Sequence, residues 1–212
     1  MLAAGLHAKR APQVRAQILR GELHQVTCPS CQLALEVHGS LAYTDFDRYH
    51  WVEVGLPEQR LSWSETERHA LARFDRAFNG GAPVIQPLRE QFFVRVVFDL
   101  DELRERLQIW DAGLDDGLVE CLKLQALRER PSLLGEQRRI RLHQIASDGA
   151  ISMASIHAGA PRDLLATWTV PAEVVRATVA DAASWRTEYP ELFGPGFVSI
   201  DRYFVSGGGN RT

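Results

Sequence analysis

The sequence predicts an α+β protein, with β-hairpins and helices in the first part of the chain and a smaller α+β unit after them. Three observations predict that class. Strand-like runs cluster between Leu23 and Leu56, helix-patterned segments lie at 11–21, 64–78 and 115–129, and a hairpin pattern returns after Arg138. The 212 residues can bury one large core or two modest ones, so folding demands neither a metal nor a disulfide. Hydrophobic residues at 45% and charged residues at 24% are the proportions of a folded chain, not a disordered one.

The elements follow in order. Pro12 near the start, Gly21 at the end, and Val14 and Ile18 four apart predict a short amphipathic helix over 11–21. Runs at 23–27, 33–37, 41–44 and 49–54, separated by turn-forming residues, predict small antiparallel hairpins. Ser64 with Glu67 reads as a capping box, opening a helix whose face carries Ala70, Leu71, Phe74, Ala77 and Phe78 and which stops at Gly80 and Gly81. After a linker over 82–87, the run 92–98 predicts a well-buried strand with Phe92, Val94, Val96 and Phe98 on one side and Arg95 on the other. A short helix is expected over 101–107 and a longer one over 115–129, ended by Pro131.

Beyond Arg138, Ile140 and Leu142 face Ile151 and Met153 across a Ser147-Asp148-Gly149 turn. A strand is expected over 164–170, then a helix opened by Pro171 with Val175, Val179, Ala182 and Trp185 inward, and a last strand over 197–205. This divides the chain into 1–133, 134–206 and a disordered tail at 207–212.

The 24 basic and 27 acidic residues leave a formal charge of −3, which does not favour a phosphate backbone, so no nucleic-acid partner is expected. No apolar run reaches the roughly 20 residues that span a bilayer, and the start is too short and too quickly basic for a signal peptide. The expected address is the cytoplasm, away from membranes, where three cysteines suit reduced thiols better than a disulfide framework.

Ile18-Leu19-Arg20-Gly21-Glu22-Leu23 leading into Thr27-Cys28-Pro29-Ser30-Cys31, followed by Leu41-Ala42-Tyr43-Thr44-Asp45, resembles the second half of a CpXC domain. The stretches 96–103 and 112–120 extend the resemblance over about residues 5 to 130. It implies a zinc-ribbon-like N-terminal part and presumed zinc binding through two Cys-Pro-x-Cys motifs, and no established activity. Only the second motif is seen in this sequence, and it ends in Gln32 where glycine is customary. Either the site has decayed or the reading frame starts late.

Tetrahedral zinc takes four donors, and Cys28 and Cys31 supply two. Further donors would come from His24, His38, His7 or Cys121, or from the same cysteine pair of a second molecule. The expectation is an empty, degenerate site without a cofactor, with bound zinc as the alternative. A thioredoxin-type pair needs a helix N-terminus after the first cysteine, and strand-like sequence follows instead. Cys121, among Leu118, Leu122 and Leu124, reads as a buried inert thiol.

Asp45, Asp47 and His50 offer carboxylate and imidazole for acid–base chemistry, but a hairpin turn explains them more simply. Asp115 and Asp116 read as helix-capping residues. Arginines at 128, 130, 138, 139 and 141 read as solvated charge or as a surface for an acidic partner, and most of the five tryptophans as core. Lipase-type, nucleotide-binding and zinc-protease signatures are absent. The functional expectation is a non-catalytic interaction or scaffolding module with a protein partner. The alternatives are a hydrolase using His50 with Asp45 or Asp47, or a zinc-dependent sensor through Cys28 and Cys31.

Overall fold

The computed structural model describes residues 5–204 apart from 24, 28, 33, 37–38, 80–85, 134, 136 and 159. The fold is α+β, in two compact units. One takes the described residues up to Arg104 together with Pro195–Phe197 and those from Arg202; the other takes Glu105–Gly194 and Val198–Asp201. No helix among the described residues is long and apolar enough to cross a membrane.

The first unit holds a four-stranded sheet. Its strands are β1 (Gly5–His7), β4 (Leu41–Asp45), β5 (His50–Val54) and β6 (Phe93–Val97), in the order β1-β4-β5-β6; β2 (Gln25–Thr27) and β3 (Ala34–Glu36) form a separate antiparallel hairpin. Helix α1 (Pro12–Arg20) ends as its sequence requires. Gly21 takes the left-handed conformation (φ 70°) and its N–H closes back onto Ile18. β4 and β5 are the expected hairpin, with Tyr43 opposite Val52 and Asp45 opposite His50. The link from β5 to the parallel β6 carries helix α2 (Trp63–Phe78), because parallel neighbours need a crossover.

Alternation along the strands gives the sheet two faces. One puts Trp51 and Val94 against Phe74 and Phe78 of α2, and Val96 against Ala70, Phe98 and Phe197. The other carries Leu41, Tyr43, Asp45, His50 and Val52, all buried. Arg95 is buried as well, where the sequence pattern had predicted an outward position. Gly196 pairs alongside β6, and Arg95 donates to the Val94 carbonyl at 2.9 Å.

The expected capping box does not form. A 3-10 turn over Pro57–Ser62 runs straight into α2, so Ser64 lies inside the helix. The Glu67 carboxylate instead accepts from the Phe197 amide (2.7 Å) and from Arg202 (2.9 Å). Among the described residues the last predicted strand does not form, and Phe197 and Val198 are buried without joining a sheet. Residues Ile200–Tyr203 form a 3-10 turn instead. A short helix, α3 (Gln86–Arg89), occupies the end of the expected linker.

Helix α4 (Leu100–Asp111) is longer than predicted, and its residues from Glu105 belong to the second unit. There α5 (Asp116–Glu129) is buried without interruption from Asp116 to Leu124, which makes it the unit's central element. The Asp115 side chain caps it, accepting from the Gly117 amide at 2.8 Å. Asp116, expected to cap as well, is instead buried within the unit, 3.9 Å from Arg106. β7 (Arg138–Ile145), β8 (Ile151–His157) and β9 (Ala160–Val170) form an antiparallel meander in that order, turning at Gly149 as expected.

The predicted helix after Pro171 is two, α6 (Ala172–Ala180) and α7 (Ala182–Glu188), broken at Asp181. Ala172, Val175 and Thr178 form the buried face, which leaves Val179 exposed. Of the tryptophans, Trp185 is buried and Trp51, Trp63, Trp110 and Trp168 are half-buried. The expected tail, 207–212, and the stop at Gly80 and Gly81 lie outside the described residues.

Candidate functional site

Four arrangements have the residue types that chemistry or recognition would use. The first is the cysteine loop between β2 and β3. Cys31 is an exposed free thiol, and Gln32 after it takes φ 58°, a left-handed conformation that glycine adopts without cost and glutamine at roughly 1 kcal/mol. The backbone at Gln32 thus has a conformation that suits glycine better than glutamine. Cys28, His24 and His38 lie outside the described residues. His7 stacks on Phe46 with ring centroids 5.3 Å apart. Among the described residues no three histidine, cysteine or acidic side chains gather as metal donors, so these residues alone do not make the four-donor shell of zinc. Cys121 is buried on α5, and burial, helped by Glu120, pushes its thiol up to about 12, which keeps it protonated and unreactive.

The second is the β4–β5 hairpin end. Register puts Asp45 and His50 directly opposite each other, both buried on the same face with Tyr43. Asp45 has the turn-closing role its residue type favours. One oxygen accepts from the Arg48 amide (3.2 Å), the other from the Arg48 guanidinium (3.2 Å) and from the Tyr43 hydroxyl (3.4 Å). Burial, with Asp45 beside it, pushes the Tyr43 hydroxyl up to about 12. Asp47 stands apart on the exposed turn and pairs with Lys9 at 3.3 Å. The structure thus brings Asp45 and His50 together and leaves Asp47 out.

The third is a set of buried charges in the second unit that the sequence reading missed. Arg106 donates to Glu120 (2.8 Å) and to the Val198 carbonyl (2.7 Å), and Lys123 donates to Glu120 and Glu105 (both 2.7 Å). Glu105 also accepts from the Leu142 amide (2.9 Å), with Arg141 at 3.5 Å, and Glu120 from the Ile200 amide (3.0 Å). With Asp116 near Arg106, three cations face three carboxylates and balance in charge, all of them buried except the partly exposed Arg141. Its signal in the sequence was Glu120 and Lys123, three apart within the otherwise apolar run 118–124.

Burial alone would raise the Glu105 carboxyl, but Lys123, Arg141 and Arg106 together hold it below its ordinary range. A lowered folded-state value means full stabilisation above the ordinary glutamate value, lost as pH falls through the lowered one. We expect the urea midpoint to decline in that acid window, and Glu105→Gln to flatten the decline while lowering the midpoint at neutral pH. An unaltered acid limb in the variant would contradict this. The arginines expected at the surface are also engaged within this unit: Arg128 with Glu188, Arg139 with Asp201, Arg138 with the Ser132 carbonyl, and Arg130 over the Trp168 ring.

The fourth arrangement is an exposed apolar edge. β9 is the outer strand of its sheet, and among the described residues no strand pairs with its far side. Leu164 and Leu165 are each 49% exposed. From Ala166 to Val170 the strand pairs one-to-one with β8, and the extra residue Leu165 makes a bulge beyond that stretch.

Among curated proteins and solved structures, none matches this chain. The family profile described as CpXC protein matches residues 2–123, which include the cysteine loop, the four-stranded sheet and α5 as far as Lys123. That match covers more than half of the sequence and contains the Cys28-Pro29-Ser30-Cys31 motif, and by it the chain belongs to the CpXC family.

Proposed function

We propose that this chain is a non-catalytic protein-interaction module whose working surface is the free edge of β9. The supporting observation is the pair of half-exposed leucines on an outer strand that, among the described residues, no further strand pairs with. Such an edge offers main-chain hydrogen bonds for affinity and apolar side chains for selectivity, which is how strand addition recognises a protein. Further support comes from the buried charges, which hydrogen-bond to each other and to backbone groups as a structural network does. A cytoplasmic address is part of the proposal, on the strength of the odd cysteine count.

The competing reading is a hydrolase using His50 with Asp45, favoured by their cross-strand pairing. It is the weaker of the two, because both oxygens of Asp45 are already engaged by Arg48 and both residues are buried.

The test is a photo-crosslinking side chain, p-benzoylphenylalanine, replacing Leu165 in one variant and exposed Glu58 in another, each expressed in the native host. Irradiation is expected to give a discrete protein adduct from position 165 and none from position 58. No adduct from position 165 would contradict the proposal.

A further inference from the structure

The edge strand β9 carries a charge-free stretch that pairs regularly with β8 from Ala166 on and is bulged at Leu165. Leu164-Leu165-Ala166-Thr167-Trp168-Thr169-Val170 contains no charge, proline or glycine, and Pro161 and Pro171 flank it. Short segments rich in β-branched and aromatic residues and free of charge are those that pair strand to strand. An antiparallel ladder about a twofold axis through Thr167 sets Trp168 opposite Ala166 of the second copy, and beyond that pair Thr169 and Val170 face the bulged Leu165 and Leu164. Each large side chain then meets a small or β-branched one, and threonine meets threonine at the axis. Arg162 and Asp163 fall outside the ladder, so no like charges meet across it.

The other edge of the same sheet is built differently. β7 carries Arg138, Arg139 and Arg141, and pairing it with its own copy would bring like charges together. One edge is thus suited to self-pairing and the other is guarded, a combination that closes at two copies instead of growing into a filament. We propose that the partner of the β9 edge is a second copy of this chain, joined by antiparallel β9 pairing about Thr167 into one six-stranded sheet. This rests on the reading of β9 as the working surface and names its occupant.

The test is sedimentation of the purified full-length chain over a range of concentrations, for the natural sequence and for Thr167→Lys and Thr167→Val. Thr167 is exposed, and equal urea midpoints check that the variants stay folded. The natural chain and Thr167→Val are expected to reach twice the chain mass. Thr167→Lys sets two ammonium groups against each other at the axis and is expected to weaken association about tenfold or more. A natural chain that stays monomeric overturns the self-pairing. A dimer equally strong in Thr167→Lys also overturns it, by placing the contact elsewhere. The host adduct at position 165 separates this failure from that of the broader reading: an adduct to a different protein keeps the interaction module and removes the second copy as its partner.

Discussion

Glu120→Ala is expected to lower the unfolding free energy by about 3–5 kcal/mol, read as a shift of the urea midpoint at neutral pH. Glu120 is completely buried on α5, and its two oxygens serve Arg106, Lys123 and the Ile200 amide. Removing it leaves Arg106 without its shortest carboxylate contact, Lys123 with Glu105 alone, and a buried amide without its acceptor. The balance of three cations and three carboxylates is lost, and two buried cations keep fewer carboxylate contacts. A single domain is stable by about 5–15 kcal/mol, so this one truncation removes a large share of the total. Glu120→Gln keeps an acceptor of the same shape and should fall between the two. A change within ~0.5 kcal/mol for Glu120→Ala would show that water enters the cluster freely.

Arg60→Ala is expected to cost a comparable amount, about 3–5 kcal/mol, in the first unit. The Arg60 guanidinium is buried against Glu102, and its carbon lies over the Phe98 ring at 5.2 Å and the Phe197 ring at 5.8 Å. Glu102 in turn accepts from the Phe98 amide at 2.6 Å. Truncating Arg60 takes the guanidinium away from the buried Glu102 carboxylate and removes a flat cation from beside two core aromatics that pack on each other. Arg60→Lys restores the charge but not the planar contact, so it should recover only part of the loss in the same denaturation experiment. Full recovery by lysine would reduce the site to a simple ion pair.

Much of the fold was legible because it is written in local patterns. Pro12 and Gly21 bracket α1, Asp115 opens α5, and Gly149 turns β7 into β8, each for a reason confined to a few residues. What the sequence did not disclose depends on distant partners. Glu67 matched a capping box in spacing, yet the amide it serves belongs to Phe197, 130 positions away. The alternation at 197–205 resembled a strand because Phe197, Val198 and Ile200 all enter cores, which burial can achieve without pairing. The spacing from Val175 predicts Val179 as inward, but the buried face of α6 steps by three through Ala172, Val175 and Thr178 and leaves Val179 outside.

The candidate sites divide in the same way. Asp45 and His50 were legible as turn and strand residues, because a hairpin is local. The charges at 105, 106, 120 and 123 were visible as letters, but only packing shows that they meet, and β9 was predicted as a strand with nothing to mark it as an edge. Cys28, His24 and His38, on which the metal expectation turned, lie outside the described residues.

Amide hydrogen exchange along β9, measured on the purified chain at low and high concentration, tests the pairing of the β9 edge with a second copy most directly. Protection at 164–170 that rises with concentration, while the β7 amides stay unchanged, is the predicted result. Exchange along 164–170 that is independent of concentration, with new protection appearing around the buried Asp45 and His50 instead, would contradict it.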